Sequence, residues 1–371
     1  MKRRGIRFRI SPDGALGVVD PDPSALEVMR AIDPTFAVRS SPLEEFDGPR
    51  LALARTLPAG VSASALARLP TETLWRRHAT LLRRMRRGAC GSLREGDASM
   101  LDLKVELARR ALKTCGLCRS RCGVNRLEGQ IGNCGLGPEA YVGEHFLHIA
   151  EEGPINPSYN MSLQGCAMRC RYCQQFALLP IRPRVGRRLD ASLWGDMNLS
   201  GARSLSFVGG NPDESLAAIL DFLRVVPKDF TLPIVWNCHG FAERVALTLL
   251  DGVVDVYVPD FKYGSDECAR RWSGVEGYVA AASKNVGRMV GQRANVFVRM
   301  LVLPGHFDCC HAPALRVLSR HRGRLRVNVL GQYCPDWKVR ERDGEMGHRV
   351  TEDEVRAARA YALSLGLGLV E

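Results

Sequence analysis

No run of apolar residues in this 371-residue chain approaches the roughly 18 that a membrane-spanning helix needs. Stretches such as ALLPI break off quickly. There is no internal repeat and no low-complexity tract, which argues against a solenoid and against a compositionally biased linker. The basic amino-terminal stretch MKRRGIRFRISPDG has no apolar core behind it, so it does not read as a secretory signal. These absences lead to the expectation of a soluble, cytoplasmic protein with no membrane partner. What is present is ordinary globular material, 46% hydrophobic and 25% charged, enough to bury a sizeable core and to exclude disorder throughout. The formal charge of +12 permits contact with nucleic acid or an acidic partner without showing either.

Cysteine is the residue in excess. In a reducing cytosol, thirteen cysteines read as metal ligands or buried thiols rather than as disulfides. Cys115, Cys118, Cys122 and Cys134 form a first group, C-x2-C-x3-C-x11-C. Random scatter would place about 0.7 cysteines in such a window. Cys166, Cys170 and Cys173 form a second, C-x3-C-x2-C, within SLQGCAMRCRYCQQF. Cys90, Cys238, Cys268, Cys309, Cys310 and Cys334 have no ligand spacing, and most read as small buried apolar residues. Three thiolates on a tight loop can hold three irons of a 4Fe–4S cube and leave the fourth iron open. A structural zinc site with a distant fourth ligand is the alternative.

C-x3-C-x-aromatic-C after a β-strand resembles the radical S-adenosylmethionine (SAM) superfamily. The stretches CGLCRSRCGVNR, FVGGNPDES, PIVWNCHGF, VDVYVPDFKYGSDE, VRMLVLPGH and VNVLGQYCP resemble the branch related to pyruvate formate-lyase activating enzymes, in the same order. The likeness runs from about Thr114 to the C-terminus; the first 110 residues match nothing.

Apolar, β-branched runs predict strands at 160–164, 204–208, 234–237, 253–258, 296–301 and 325–330. Helices are expected at about 212–225, 241–250, 266–290, 312–322 and 351–365, the last capped by Thr351. Six β-then-α units suggest a partial (β/α)6 TIM-like barrel or a strongly curved sheet. The expected organisation is therefore α/β: a leading region 1–110, a cysteine-rich element 111–150 and a barrel 151–371. The leading region is turn-rich (SPDG, PDPS, DPTF, SSPLEEFDGP) and then helical over TETLWRRHATLLRRMRRG, with Leu74, Leu81, Leu82 and Met85 on one stripe. Its arginines read as a solvated basic face or an RNA contact.

In such folds chemistry sits beyond the carboxyl ends of the strands, and the candidate residues fall there. The resemblance implies that Cys166, Cys170 and Cys173 ligate a 4Fe–4S cluster whose open iron takes the amino and carboxylate groups of SAM. One electron then releases a 5′-deoxyadenosyl radical that abstracts hydrogen from a substrate. It also implies SAM contacts from Gly209 and Gly210, where backbone must approach the methionine amino group. Asn211 stands where the family often has an acidic residue, and Gln175 where relatives carry Asn. Asp260 and Lys262 resemble the family's Asp-x-Lys element near the SAM ribose and carboxylate. A buried Arg299 needs an anion, either the SAM carboxylate or an acidic side chain. Tyr172 can pack near the adenine or fill core. His239 and His306 each end a strand and are left outside the catalytic set. Gln332 is a weak contact candidate, and the Cys309–Cys310 pair has no evident role.

The first cysteine group fits either a closed zinc site or an auxiliary 4Fe–4S cluster. The resemblance further implies a reduced electron donor of flavodoxin or ferredoxin type and a glycyl-radical protein as substrate. The leading region and the extra cysteine block depart from short activators, so a small molecule or RNA stays open as substrate. A rival of another class is a non-catalytic, zinc-dependent module holding nucleic acid through its arginines.

Overall fold

Alternation along the strands builds the core. In 158–163, Tyr159, Met161 and Leu163 join the main hydrophobic cluster, while Ser158, Asn160 and Ser162 turn to the opposite face. The same period separates Phe207 from Ser206, Trp236 from Asn237 and Val298 from Arg299. The opposite face carries a smaller cluster of Ile155, Val235, Val256, Val258, Phe297 and Val370.

The computed structural model describes residues 8–10, 16–18 and 38–371, apart from residues 45, 47, 90, 180–185 and 228. The turn-rich segments 11–14, 21–24 and 33–36, and Cys90, lie outside the described residues. The principal sheet has nine strands: β1 Tyr141–His148, β2 Ser158–Leu163, β3 Arg187–Arg188, β4 Ser204–Gly209, β5 Ile234–Cys238, β6 Val256–Pro259, β7 Asn295–Leu301, β8 Arg326–Leu330 and β9 Gly368–Leu369. Their order is β9-β8-β7-β6-β5-β4-β2-β1-β3. From β2 to β9 every neighbouring pair is parallel, whereas β1 runs antiparallel to β2 and β3 to β1. The chain is thus a mixed α/β protein with a large, mostly parallel sheet whose parallel strands follow one another in sequence order.

All six expected strands are present, with shifted ends. The fourth starts at Val256 because the N–H groups of Val253 and Val254 close a turn onto the Leu250 carbonyl. Two antiparallel strands and the short β9 had no clear alternation. β1, with burial only at Val142 and Leu147, places the end of the 111–150 block inside the sheet.

The helices used below are α1 Arg50–Thr56, α2 Thr71–Arg86, α3 Met100–Ala111, α4 Leu216–Arg224, α5 Arg244–Leu250, α6 Asp266–Ser273, α7 Tyr278–Gly291, α8 Ala312–Leu318 and α9 Glu352–Ser364. The single helix expected over 266–290 is two, because Gly274 and Gly277 both adopt left-handed φ of 65° between α6 and α7. Thr351 caps α9 in a reciprocal box with Glu354.

The leading helices share the main core. Leu51, Leu74, Leu81 and Leu107 belong to the same cluster as Leu220, Leu250 and Trp236. Buried Lys104 of α3 donates to His78 Nε2 (2.8 Å), Leu249 O (2.9 Å) and Asp251 O (2.7 Å), tying α2 and the end of α5 together. Arg86 adds an ion pair to Asp251 at 2.6 Å. Among the described residues no helix is long and apolar enough to cross a membrane.

Candidate functional site

Parallel strands that share a register bring their carboxyl ends to one edge of the sheet. Leu163 pairs with Gly209, Cys238 with Pro259, and Leu301 with Leu330. The second cysteine group leaves β2 at this edge. Its backbone is pinned on two sides: Arg169 and Arg171 donate N–H groups to Ser273 and Trp272 carbonyls at the end of α6, and Lys338 N–H reaches Arg171 O. Arg169 closes the loop through its guanidinium onto Cys166 O and Asn133 O.

Burial raises the Cys166 thiol well above its usual range, with neighbouring Glu214 adding to the effect. Burial and neighbouring Cys170 push the Cys173 thiol up to about 11. Such thiols stay protonated unless a metal takes the proton's place. Ser273 donates its hydroxyl to Cys170 Sγ at 2.9 Å. That hydroxyl ends a chain running from Tyr172 to Tyr263 (2.7 Å) and from Tyr263 to Ser273 (2.6 Å). A tetrahedral zinc with bonds near 2.3 Å would hold its sulfurs roughly 3.8 Å apart. Among the described residues, two triads have their donor atoms within 4.8 Å of one another, Cys166–Glu214–His239 and Cys268–His306–Cys309; neither cysteine group forms one by itself.

The GGNPDES turn after β4 is where sequence and structure diverge most usefully. A Cβ on Gly209, at φ 97°, would lie 2.5 Å from Leu163 N, and one on Gly210 would run into Gly165 O. Both glycines are therefore required by the approach of this turn to the start of the cysteine loop. Asn211, buried, donates to Asp213 Oδ2 (3.0 Å) and to Glu214, and accepts from His239 N–H (3.0 Å). Its amide organises the turn rather than facing outward. Glu214 accepts the Ala167 N–H at 3.0 Å, inside the cysteine loop, and lies 3.4 Å from His239 Nε2. Trp236 Nε1 donates to Asp213 at 2.8 Å. Burial works against the charge of His239, but Glu214 and Asp213 hold its pKa above the ordinary value; burial raises Asp213, whereas hydrogen bonds and His239 keep Glu214 low.

Asp260 and Lys262 pair with each other at 2.6 Å beyond β6, on partly exposed side chains. Burial opposes the Lys262 charge, yet Asp260 raises its pKa above the ordinary range. Arg299 finds its anion within the protein: it pairs with Glu152 at 2.6 Å and with Glu151, both in the connection before β2. The Arg299 side chain is 18% exposed, and the anions it meets in the structure are these two acidic side chains. Asn160 and Asn328 complete the network, donating to Glu151 (2.7 Å) and Glu152 (2.9 Å). Tyr172 is buried with its ring 5.7 Å from Tyr333 and its hydroxyl engaged by Tyr263, the core-filling alternative. Gln332 accepts from Gln174 at 3.3 Å.

The first cysteine group folds against the same turn. Glu214 influences Cys118 and Cys134, and Cys115 lies close enough to both to affect them. Gly132 sits between the sulfurs of Cys122 and Cys134, so that its missing Cβ would be 3.3 and 3.4 Å from them. Buried Arg126 holds the block in place, donating to Gly137 O (2.7 Å) and Glu214 O (2.8 Å). The four thiols form no disulfide, and Glu214 lies near members of both cysteine groups.

Asp213 and Glu214 were missed in the sequence, although two adjacent carboxylates straight after a strand-end Gly-Gly were the available signal. Of the six other cysteines, Cys238 and Cys310 are buried as expected. Cys268 and Cys334 are half-buried and Cys309 is exposed, so among the described five only a minority are fully buried, which corrects the expectation that most would be.

No protein-family model matches the chain. The uncharacterised protein MJ0674 of Methanocaldococcus jannaschii is 32% identical over 285 residues, covering 73% of this chain and 81% of the relative. Two crystal structures of Streptococcus suis SuiB, the second bound to S-adenosylmethionine, match at 12% and 11% identity with a TM-score of 0.36 each. They cover 55% and 54% of this chain, which spans 44% of theirs, a likeness too slight to carry an argument.

Proposed function

The chain belongs to the family of MJ0674, and we propose that it is a radical SAM enzyme built on a partial (β/α)6 barrel. The observation that carries this reading is the placement of Cys166, Cys170 and Cys173. They lie on a backbone-pinned loop at the carboxyl edge of a parallel sheet, with a hydroxyl donor on one sulfur and sulfurs not gathered around a single ion. This donor set fits a cluster with three protein ligands.

When bound, the cluster and SAM would supply reductive cleavage of a sulfur–carbon bond and a 5′-deoxyadenosyl radical for hydrogen abstraction. The chain's own residues hold and orient. Cys166, Cys170 and Cys173 ligate. Ser273 steadies the Cys170 thiolate, and Glu214 fixes the loop through Ala167 N–H. Gly209 and Gly210 bring backbone to the cysteine loop without side-chain obstruction. The partly exposed Asp260–Lys262 pair offers a carboxylate for ribose hydroxyls and an ammonium for the SAM carboxylate.

Arg169 and Arg171 lie within the cysteine loop, Arg171 pairing with Asp343 at 2.9 Å, and Lys338 bonds to the loop through its N–H; Arg171 and Arg271 lie 5.1 and 4.9 Å from the Trp272 ring, and Lys338 caps Trp337 at 4.4 Å. This basic collar suits an acidic electron donor of flavodoxin or ferredoxin type. The resemblance implies a glycyl-radical protein as substrate, with a small molecule or RNA as the alternative, and the clustering of Cys115, Cys118, Cys122 and Cys134 supports a second metal there, zinc or iron–sulfur.

Anaerobic protein reduced in the presence of SAM should yield 5′-deoxyadenosine, and Cys173→Ala should abolish it. Full activity in that variant rejects the assignment. The close Cys166–Glu214–His239 triad supports a second reading, a single zinc ion in a non-catalytic module. That reading predicts colourless protein, zinc retained by Cys173→Ala and lost by His239→Gln, and no 5′-deoxyadenosine.

A further inference from the structure

Cys268, His306 and Cys309 lie away from both cysteine groups in sequence; His306 ends the VRMLVLPGH stretch, and the two cysteines lie outside the stretches that carry the resemblance. Cys268 projects from α6, and His306 and Cys309 come from the turn after β7. Their donor atoms lie within 4.8 Å of one another. The two sulfurs are 3.7 Å apart. That is far from a disulfide bond length of about 2.05 Å. It matches the roughly 3.8 Å expected when two thiolates share a tetrahedral ion with 2.3 Å bonds.

Both ring nitrogens of the histidine have partners. His306 Nδ1 contacts Pro304 O at 2.7 Å, and Nε2 accepts the indole N–H of Trp272 at 3.2 Å. Since indole only donates, the proton sits on Nδ1 and the lone pair on Nε2. A backbone carbonyl holding the far nitrogen is the usual support behind a metal-ligating imidazole. The Trp272 N–H occupies that lone pair and gives it up when a cation binds there. Cys309 is exposed and Cys268 half-buried, so solvent reaches the position.

We propose that Cys268, His306 and Cys309 form a third metal site, taking a zinc ion with solvent in the fourth position. Its consequence is mechanical. An ion there clamps α6 to the turn after β7. The same helix ends in Trp272 and Ser273, whose carbonyls pin the cysteine loop and whose hydroxyl, on Ser273, meets Cys170. The site itself does not depend on a cluster being present.

The test uses the full chain, isolated anaerobically, loaded with zinc chloride and freed of excess. The parent should hold one more zinc per chain than Cys309→Ser and than Cys268→Ser, with iron per chain the same in all three. Only the parent should gain thermal midpoint on loading. Cys309 is exposed, so its serine variant keeps the fold; comparing it with Cys268→Ser guards against a local defect in either. Equal zinc in parent and both variants overturns the proposal, as does a Cys268–Cys309 disulfide in freshly isolated anaerobic protein.

Discussion

Arg299→Met tests whether the polar face of the sheet is organised as described. Arg299 is the cation facing two buried carboxylates, Glu151 and Glu152, of which 5% and 0% of the side chain is exposed. Burial alone would raise Glu151. Arg299, then His148 and hydrogen bonds from Asn160 and Arg299, bring it instead down to about 2 from an ordinary 4.5. A shift of that size corresponds to about 3 kcal/mol at 1.36 kcal/mol per pH unit. Because the folded pKa is depressed, the stabilisation is present above pH ~4.5 and disappears as pH falls toward 2. Methionine keeps much of the volume and removes the charge, leaving two buried carboxylates without their cation. Breaking such a pair costs about 3–5 kcal/mol. Without the Arg299 charge, burial pushes the Glu151 carboxyl up, so the variant's penalty shrinks on acidification as that group takes up a proton. Chemical denaturation at pH 7 and pH 4.5 measures both effects. The expected result is a loss of about 3 kcal/mol or more at pH 7 and a smaller gap to the parent at pH 4.5. A loss below ~1 kcal/mol at pH 7, or a gap that widens in acid, refutes the reasoning.

Lys104→Met should lower stability by about 3 kcal/mol, since it leaves the Leu249 and Asp251 carbonyls without their buried donor, and the denaturation midpoint reads this. Gly210→Ala should reduce both iron content and thermal midpoint, because the new methyl collides with Gly165 O; normal iron loading would show that the turn does not abut the cysteine loop. Ser273→Ala should lower the cluster's midpoint potential by about 40 mV, taking ~1 kcal/mol as the difference in hydrogen-bond strength between oxidation states. A redox titration followed by electron paramagnetic resonance would detect it, and an unchanged potential would remove Ser273 from the account.

The parallel strands were legible because their buried faces are continuous: IVW, VYV and VFV can hardly be anything else once turns bound them. The position of the cysteine loop after the first of them followed directly. Three things were hidden. β1 carries few buried residues, so its pairing with β2 comes from the neighbour rather than its own pattern. The break between α6 and α7 depends on two glycines taking left-handed angles, which a helical apolar period does not reveal. The roles of Asn211, Arg299 and Tyr172 depend on partners 2 to 148 residues distant: Asp213 and Glu214 beside Asn211, Glu151 and Glu152 for Arg299, and Tyr263 for Tyr172. A motif can specify that such a residue is needed, but only the fold shows which atom it meets.

The most direct measurement is the electron paramagnetic resonance spectrum of the reduced, anaerobic protein recorded with and without SAM. Three cysteine ligands leave one iron open, so SAM should shift the g-values of a 4Fe–4S signal, and Cys166→Ala should remove the signal that responds. A spectrum untouched by SAM, or a protein that carries zinc and no iron at Cys166, Cys170 and Cys173, would contradict the account.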